Sequence, residues 1–354
     1  MTGVTMSAAG EKACLGAGQV GVAVVGLGAM GRQHVRICTQ LPAARLITVF
    51  DTDARLARSV ADEHGVIAAA SLEDALGAHG VEAVIIATPD HLHREVVERC
   101  IASRKHILLE KPLASALDEA RAMAAFAERE EAQVMMGHTL RFDRRYFLAA
   151  EEARSGRLGA LMHVSASRHN RPDTGARVGN RTTVTMFLGV HDLDAMMWIA
   201  GSRVARVGAA AGTAEAAAQL GVGAPAAVMA LLEFESGAIG SVQVSWALPA
   251  NFPSGLDASL EATFTSGWLR VHASAPGLSL LGSGGLAEPP VLGGEVHGYP
   301  TGPVATEVGA FLRWVAVGGD PPVSVTDGFN AVAVASAIDR AWRTGQPQTV
   351  DYST

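Results

Sequence analysis

The chain has 354 residues, 28 of them Lys or Arg and 35 Asp or Glu, for a formal charge of −7. That balance, without a dense basic cluster, argues against nucleic acid or an anionic membrane as partner, and no apolar run approaches the roughly 18 residues of a membrane span. Three widely spaced cysteines, Cys14, Cys38 and Cys100, suit neither a disulfide framework nor a zinc site, so a reducing compartment and no bound metal are expected.

Residues 1–19 are small, polar and rich in Gly and Ala. They read as a flexible tail that lacks the apolar segment of a signal peptide, and a cytoplasmic protein is expected. VGVAVV at 20–25 is a continuous apolar run, as in a strand buried on both faces. GLGAMG follows, then a helical pattern through Val35 and Ile37. A second strand covers 46–50 and ends at Asp51. Helices are expected at 54–64, capped by Asp53, and at 71–76. The alternation continues with a strand at 84–87, a helix at 93–102, a strand at 106–109, a helix at 115–130 and a strand at 133–136. This rhythm predicts a parallel sheet with right-handed crossovers.

The rhythm changes near residue 140. A helix at 146–155 leads to strands at 161–167, 227–234, 238–246, 258–264 and 269–272. Glu235-Ser236-Gly237 and Ser266-Gly267 read as hairpin turns. One further helix is expected at 192–200, a long Gly/Pro-rich loop at 282–303, and closing helices at 304–317 and 328–344. The fold class is therefore α/β followed by α+β. A Rossmann domain occupies 20–140, and a second domain with a largely antiparallel, open-faced sheet occupies 141–354.

Gly26-Leu27-Gly28-Ala29-Met30-Gly31 matches the dinucleotide fingerprint. It closes a strand and opens a helix, and Asp51 stands 20 residues after Gly31 at the next strand end. The helix start offers free N–H groups to a pyrophosphate. A carboxylate at Asp51 accepts hydrogen bonds from ribose hydroxyls and repels a 2′-phosphate, so NAD is expected over NADP. The rival reading makes Asp51 a helix cap, with Arg55 or Arg58 holding a phosphate.

Two more strand ends should line the same crevice. Thr88-Pro89-Asp90-His91-Leu92-His93 follows one strand, and Thr88, Pro89, His91 and His93 are candidate cofactor contacts. Glu110-Lys111-Pro112 follows another. A lysine there, partly desolvated beside an oxidised nicotinamide, loses some preference for its charged form. It can donate to a substrate oxygen or relay a proton. The proline fixes the loop, with a cis peptide as one option.

These pieces, with GHTLRF at 137–142 and GVHDLD at 189–194, resemble the glucose–fructose oxidoreductase / inositol dehydrogenase / rhizopine-catabolism (Gfo/Idh/MocA) family. The resemblance implies a nicotinamide cofactor and a second domain whose open sheet builds a homodimer or homotetramer. It also implies that Lys111 and His191 flank the reacting carbon of a sugar or cyclitol. His191 precedes an apolar helical stripe, with Asp192 as its expected cap. A neutral imidazole there can take the proton of a secondary alcohol.

One position departs from the family. Inositol-dehydrogenase-like members carry an aspartate four residues before this histidine, where this chain has Phe187. Arg168 and Asn170, with Phe187, are candidate substrate contacts, and Arg168 and Arg171 raise an acidic substrate. The expected function is NAD-dependent interconversion of a secondary alcohol and a ketone. Its rivals are NAD-assisted glycoside elimination or hydrolysis without net redox, and a non-catalytic NAD-binding protein.

Overall fold

The computed structural model describes residues 18–179, 181–222, 225–272, 280–282, 285–287 and 293–353. The first sheet contains β1 (Val20–Val25), β2 (Ala44–Phe50), β3 (Ile67–Ala68), β4 (Ala83–Ile86), β5 (His106–Glu110) and β6 (Val134–Gly137). All its pairings are parallel, in the order β3-β2-β1-β4-β5-β6. The order reverses between β1 and β4, and ligands of such sheets bind beyond the carboxyl ends at that reversal. Every position of β1 and of β4 is buried, which is why these strands read as unbroken apolar runs.

The helices of this half are α1 (Ala29–Gln40), α2 (Ala54–His64), α3 (Leu72–Gly77), α4 (His93–Ala102) and α5 (Leu117–Arg129). Asp53 caps α2 by accepting the amides of Arg55 and Leu56, and Ser71 caps α3. Both caps satisfy amides that a helix start leaves without partners.

The second half has helices α6 (Arg144–Arg154), α7 (Pro172–Val178), α8 (Val190–Ala200), α9 (Ala214–Gln219), α10 (Pro303–Val317) and α11 (Val325–Thr344). Its strands are β7 (Leu161–Asn170), β8 (Val204–Ala211), β9 (Ala227–Phe234), β10 (Ile239–Ser245), β11 (Leu256–Phe264) and β12 (Gly267–His272). They are followed by the short β13 (Leu280–Gly282), β14 (Gly285–Ala287), β15 (Gly294–Val296), β16 (Tyr299–Thr301) and β17 (Gln348–Thr349). The large sheet runs β12-β11-β7-β10-β9-β8-β17. It is antiparallel except for the β7–β10 pair, which is parallel. Helices α8 and α11 cover one face. The other face leaves Met229, Leu231 and Ile239 exposed.

Four features depart from the sequence reading. Strand β8 and helices α7 and α9 were not anticipated. The segment read as one loop contains the hairpin β15–β16 in its described part, while 283–284 and 288–292 lie outside the described residues. Asp192 is not a helix cap, because a π-helical turn at Thr185–Gly189 runs directly into α8 and Gly189 takes the cap position. Finally, α10 returns from the second half to pack on α1 and β1. Among the described residues, no helix is long and apolar enough to cross a membrane.

Candidate active site

The carboxyl ends of β1, β2, β4 and β5 open into a cavity of about 1720 Å³ that also reaches β7, α7 and the π turn. The glycine turn builds its floor. Gly26 has φ 85°, in the left-handed region that favours glycine. A Cβ at Gly31 would lie 1.8 Å from the Gly26 carbonyl oxygen, so only glycine lets the helix start this close to the strand. A Cβ at Gly28 would meet nothing, because Gly28 faces the open cavity. The bare backbone at Gly28, Ala29 and Met30 is therefore approachable by a pyrophosphate at the start of α1.

Asp51 accepts the Leu27 amide at 2.7 Å and the Asp53 amide at 2.9 Å. These bonds fix its carboxylate at the cavity edge, and the helix-cap role falls to Asp53. Thr88 and Pro89 line the cavity. The two histidines of that segment do not. His91 is exposed beside Asp90. His93 is buried, with its ring nitrogens 3.0 Å from the Thr88 and Pro112 carbonyls. It ties the loop after β4 to the loop after β5, so it acts on the cavity through backbone.

Glu110 and Lys111 follow β5, and the Lys111–Pro112 peptide is cis. Glu110 accepts a hydrogen bond from the buried His34 at 2.8 Å. Burial raises its carboxyl, but His34, Lys111 and His93 outweigh burial and hold it below the usual range. Burial also acts on Lys111. Opposed by Glu110 and helped by Arg168, it brings the ammonium down to about 8. Lys111 Nζ donates to the Phe187 carbonyl at 3.2 Å and sits 4.4 Å from the centre of the Phe187 ring. The Phe187 ring also packs against Trp246, with centroids 5.4 Å apart and planes tilted by 50°.

His191 stands in the first turn of α8 and lines the same cavity. Its Nδ1 is buried without a partner. Burial, with the nearby charges of Lys111, Arg168 and His138, pushes its ring well below the usual histidine range, so it is neutral at pH 7. The carboxylates around it set α8 in place. Arg168 donates to both oxygens of Asp192, at 2.7 and 3.0 Å, in a buried pair. Arg141, from the turn after β6, grips Asp194 at 2.6 and 2.9 Å and also reaches Asp327 of α11. Bidentate pairs of this kind fix orientation as well as distance.

This geometry corrects the reading of the two arginines. Arg168 lines the cavity but spends its fork on Asp192, and Arg171 donates to the Phe252 carbonyl. Asn170 and Phe187 line the cavity as expected. Sequence reasoning missed His34, whose spacing three residues after Gly31 puts it on the buried face of α1. It also missed Thr174, Arg177 and Val178, because α7 is short and carries Gly175, and Arg181 in the turn beyond it.

The model of the oxidoreductase family with an NAD-binding Rossmann fold matches residues 20–138, and the GFO/IDH/MocA C-terminal domain matches 147–270. The chain belongs to the GFO/IDH/MocA family. It is 31% identical over 343 residues to inositol 2-dehydrogenase 1 of Saccharopolyspora erythraea, covering 94% of this chain and 97% of that protein. Among solved structures, GenD2 from gentamicin A biosynthesis, in complex with NAD, superposes with TM-score 0.81 at 24% identity, covering 94% and 97% of the two chains. The scyllo-inositol dehydrogenase of Lactobacillus casei, with NAD(H) and scyllo-inositol, superposes with TM-score 0.79 at 19% identity over 94% and 99%. At those identities the two structures speak for the fold alone.

This GFO/IDH/MocA oxidoreductase takes NAD as its cofactor. The cradle at Gly28, the helix start behind it and the fixed Asp51 carboxylate fit that dinucleotide.

Proposed function

We propose that the protein is an NAD-dependent dehydrogenase that interconverts a secondary alcohol and a ketone on a sugar, cyclitol or related ring. One observation carries the reading. Lys111, brought down to about 8, and His191, held neutral, line a single cavity that the glycine turn also lines. Relatives named as inositol 2-dehydrogenases support a polyhydroxylated ring as the substrate class.

Bound NAD supplies the hydride acceptor, and its reduced form the donor. The chain supplies the proton chemistry and the positioning. Lys111 donates to the oxygen on the reacting carbon and polarises it. His191 takes that oxygen's proton as the carbonyl forms and returns it in the reverse direction. With Nδ1 buried, Nε2 is the nitrogen that faces the substrate. Glu110, fixed by His34, keeps a negative charge behind Lys111 and limits how far burial lowers it. Phe187 contributes a π face to Lys111 where inositol-dehydrogenase-like relatives place a carboxylate, so proton transfer rests on His191 alone.

The test is a screen of sugars, inositols, sugar acids and sugar phosphates with NAD, following absorbance of reduced nicotinamide. Net reduction with one of these rings is the expected result. Substrate consumed with no reduced cofactor would instead indicate transient oxidation followed by elimination. NAD binding with no turnover of any ring would indicate a non-catalytic binder.

A further inference from the structure

The part of the cavity built by the second half of the chain carries two arginines beyond Arg168, from α7 and the turn after it. Thr174, Arg177, Val178 and Arg181 all line it, at offsets of three, four and seven residues. Thr174, Arg177 and Val178 share one face of α7, and Arg181 lies in the turn that follows it. The segment is seated firmly. A Cβ at Gly175 would lie 2.7 Å from Trp246, the Arg181 amide bonds to the Val178 carbonyl at 2.9 Å, and Val178 is buried.

Neither Arg177 nor Arg181 has a hydrogen-bonded or paired carboxylate among the described residues, in contrast to Arg168 with Asp192 and Arg141 with Asp194. The carboxylates that line the cavity, Asp51, Glu63, Glu73, Glu95 and Glu110, all belong to the first half of the chain. The protein has a formal charge of −7, yet this wall presents no carboxylate to the cavity, and Arg177 and Arg181 are exposed on it. A cleft of one charge sign with low-dielectric walls concentrates ligands of the opposite sign.

We infer that the substrate ring carries an anionic substituent, a carboxylate or a phosphate, held by Arg177 and Arg181 while the reacting carbon lies at Lys111 and His191. The inference rests on the dehydrogenase reading for its reaction, but the anion subsite has its own readout. The guanidinium forks suit either group, since both offer paired oxygens for charge-assisted hydrogen bonds.

The test compares matched rings with NAD: glucose with glucuronate and with glucose 6-phosphate, and myo-inositol with inositol 1-phosphate. The variants are Arg177→Gln, Arg181→Gln and the pair together. Arg154→Gln, which removes the same charge from an exposed position of α6 away from this cavity, serves as control. In wild type one acidic class should exceed its neutral counterpart in kcat/KM by about 10- to 100-fold, the usual worth of a hydrogen bond to a charged group. The double variant should abolish that ratio, and Arg154→Gln should keep it. The carboxylate and phosphate arms decide which anion is native.

Calorimetric titration of the NADH complex with glucuronate and glucose 6-phosphate reads the subsite without turnover. Anion binding that the double variant loses, in a protein that oxidises no ring, keeps the inference and overturns the dehydrogenase reading. Neutral rings oxidised as well as acidic ones keep that reading and overturn the inference. Weakened NADH binding in the double variant, with the acid-to-neutral ratio intact, also overturns it, because the arginines would then serve the cofactor.

Discussion

Lys111 lies over the ring of Phe187, with Nζ 4.4 Å from the ring centre and donating to the Phe187 backbone carbonyl at 3.2 Å. One residue thus supplies both a π face and an acceptor to the ammonium. Such a cation–π contact is worth about 0.5–2 kcal/mol and, with the hydrogen bond, aims the ammonium in a partly desolvated site. Lys111→Ala is expected to lower turnover by about 10² to 10⁴ while NAD binding persists. Phe187→Leu should cost a few-fold at most. Phe187→Asp should not raise turnover, because a carboxylate there faces Trp246 and draws Lys111 back toward the ordinary lysine range. Steady-state kinetics on the substrate returned by the screen decide, and a wild-type rate in Lys111→Ala would sink the assigned role.

The pH profile follows from His191. Its base form must be neutral, and its pKa lies well below the ordinary 6.5. As pH falls through 6.5, the ring stays neutral and the base stays competent. No acid limb in kcat/KM is expected between about pH 6 and 7. A limb in that window that disappears in a slow His191→Ala enzyme would contradict the geometry.

Cofactor choice rests on Asp51. A phosphate charge about 4 Å from its carboxylate costs about 4 kcal/mol at an effective dielectric near 20, and salt screens part of it. NAD should bind about 100-fold more tightly than NADP, since about 1.4 kcal/mol is tenfold. Asp51→Ser should narrow the gap. Fluorescence titration of wild type with both dinucleotides measures it, and equal affinities would remove Asp51 from this role.

Glu307 offers a prediction about stability. Its carboxyl oxygens are buried and without partners. Burial, then the Glu110 charge, raises its pKa well above 4.5. Between 4.5 and the raised value the folded chain keeps a proton that the unfolded chain has lost. Stability therefore falls as pH rises through that window. Glu307→Gln removes this titration. The variant should melt higher than wild type above neutral pH, with a gap that shrinks toward zero near pH 4. Identical melting curves at every pH would show that Glu307 has a partner in solution.

The open face of the large sheet predicts assembly. Met229, Leu231 and Ile239 are 52%, 68% and 59% exposed on adjacent strands, where the opposite face is buried. Exposed apolar side chains clustered on one sheet face, here interleaved with Glu233, Ser241 and Gln243, mark an interaction surface. A homodimer or homotetramer is expected, and light scattering at micromolar concentration that gives a monomer mass would contradict it.

The sequence by itself determined the elements whose signals are local. VGVAVV reads as a strand buried on both faces, Asp53 and Ser71 are side-chain caps that act within three residues, and Gly26 and Gly31 are steric requirements of one turn. Strand β8 (VARVGAAA) escaped because alanine and glycine carry little β signal; its place comes from pairing with β9 and β17. The cap assigned to Asp192 failed for a related reason. A carboxylate near a helix start looks the same whether it caps or pairs, and only the tertiary fold brings Arg168 of β7 to it. The arginine question turned on the same point. Sequence shows how many cations stand near a site, but whether each is free depends on carboxylates far along the chain. Arg168 is taken by Asp192, and Arg177 and Arg181 face the cavity. Charge compensation inside a protein is a property of distance in space, and that distance exists only once the chain has folded.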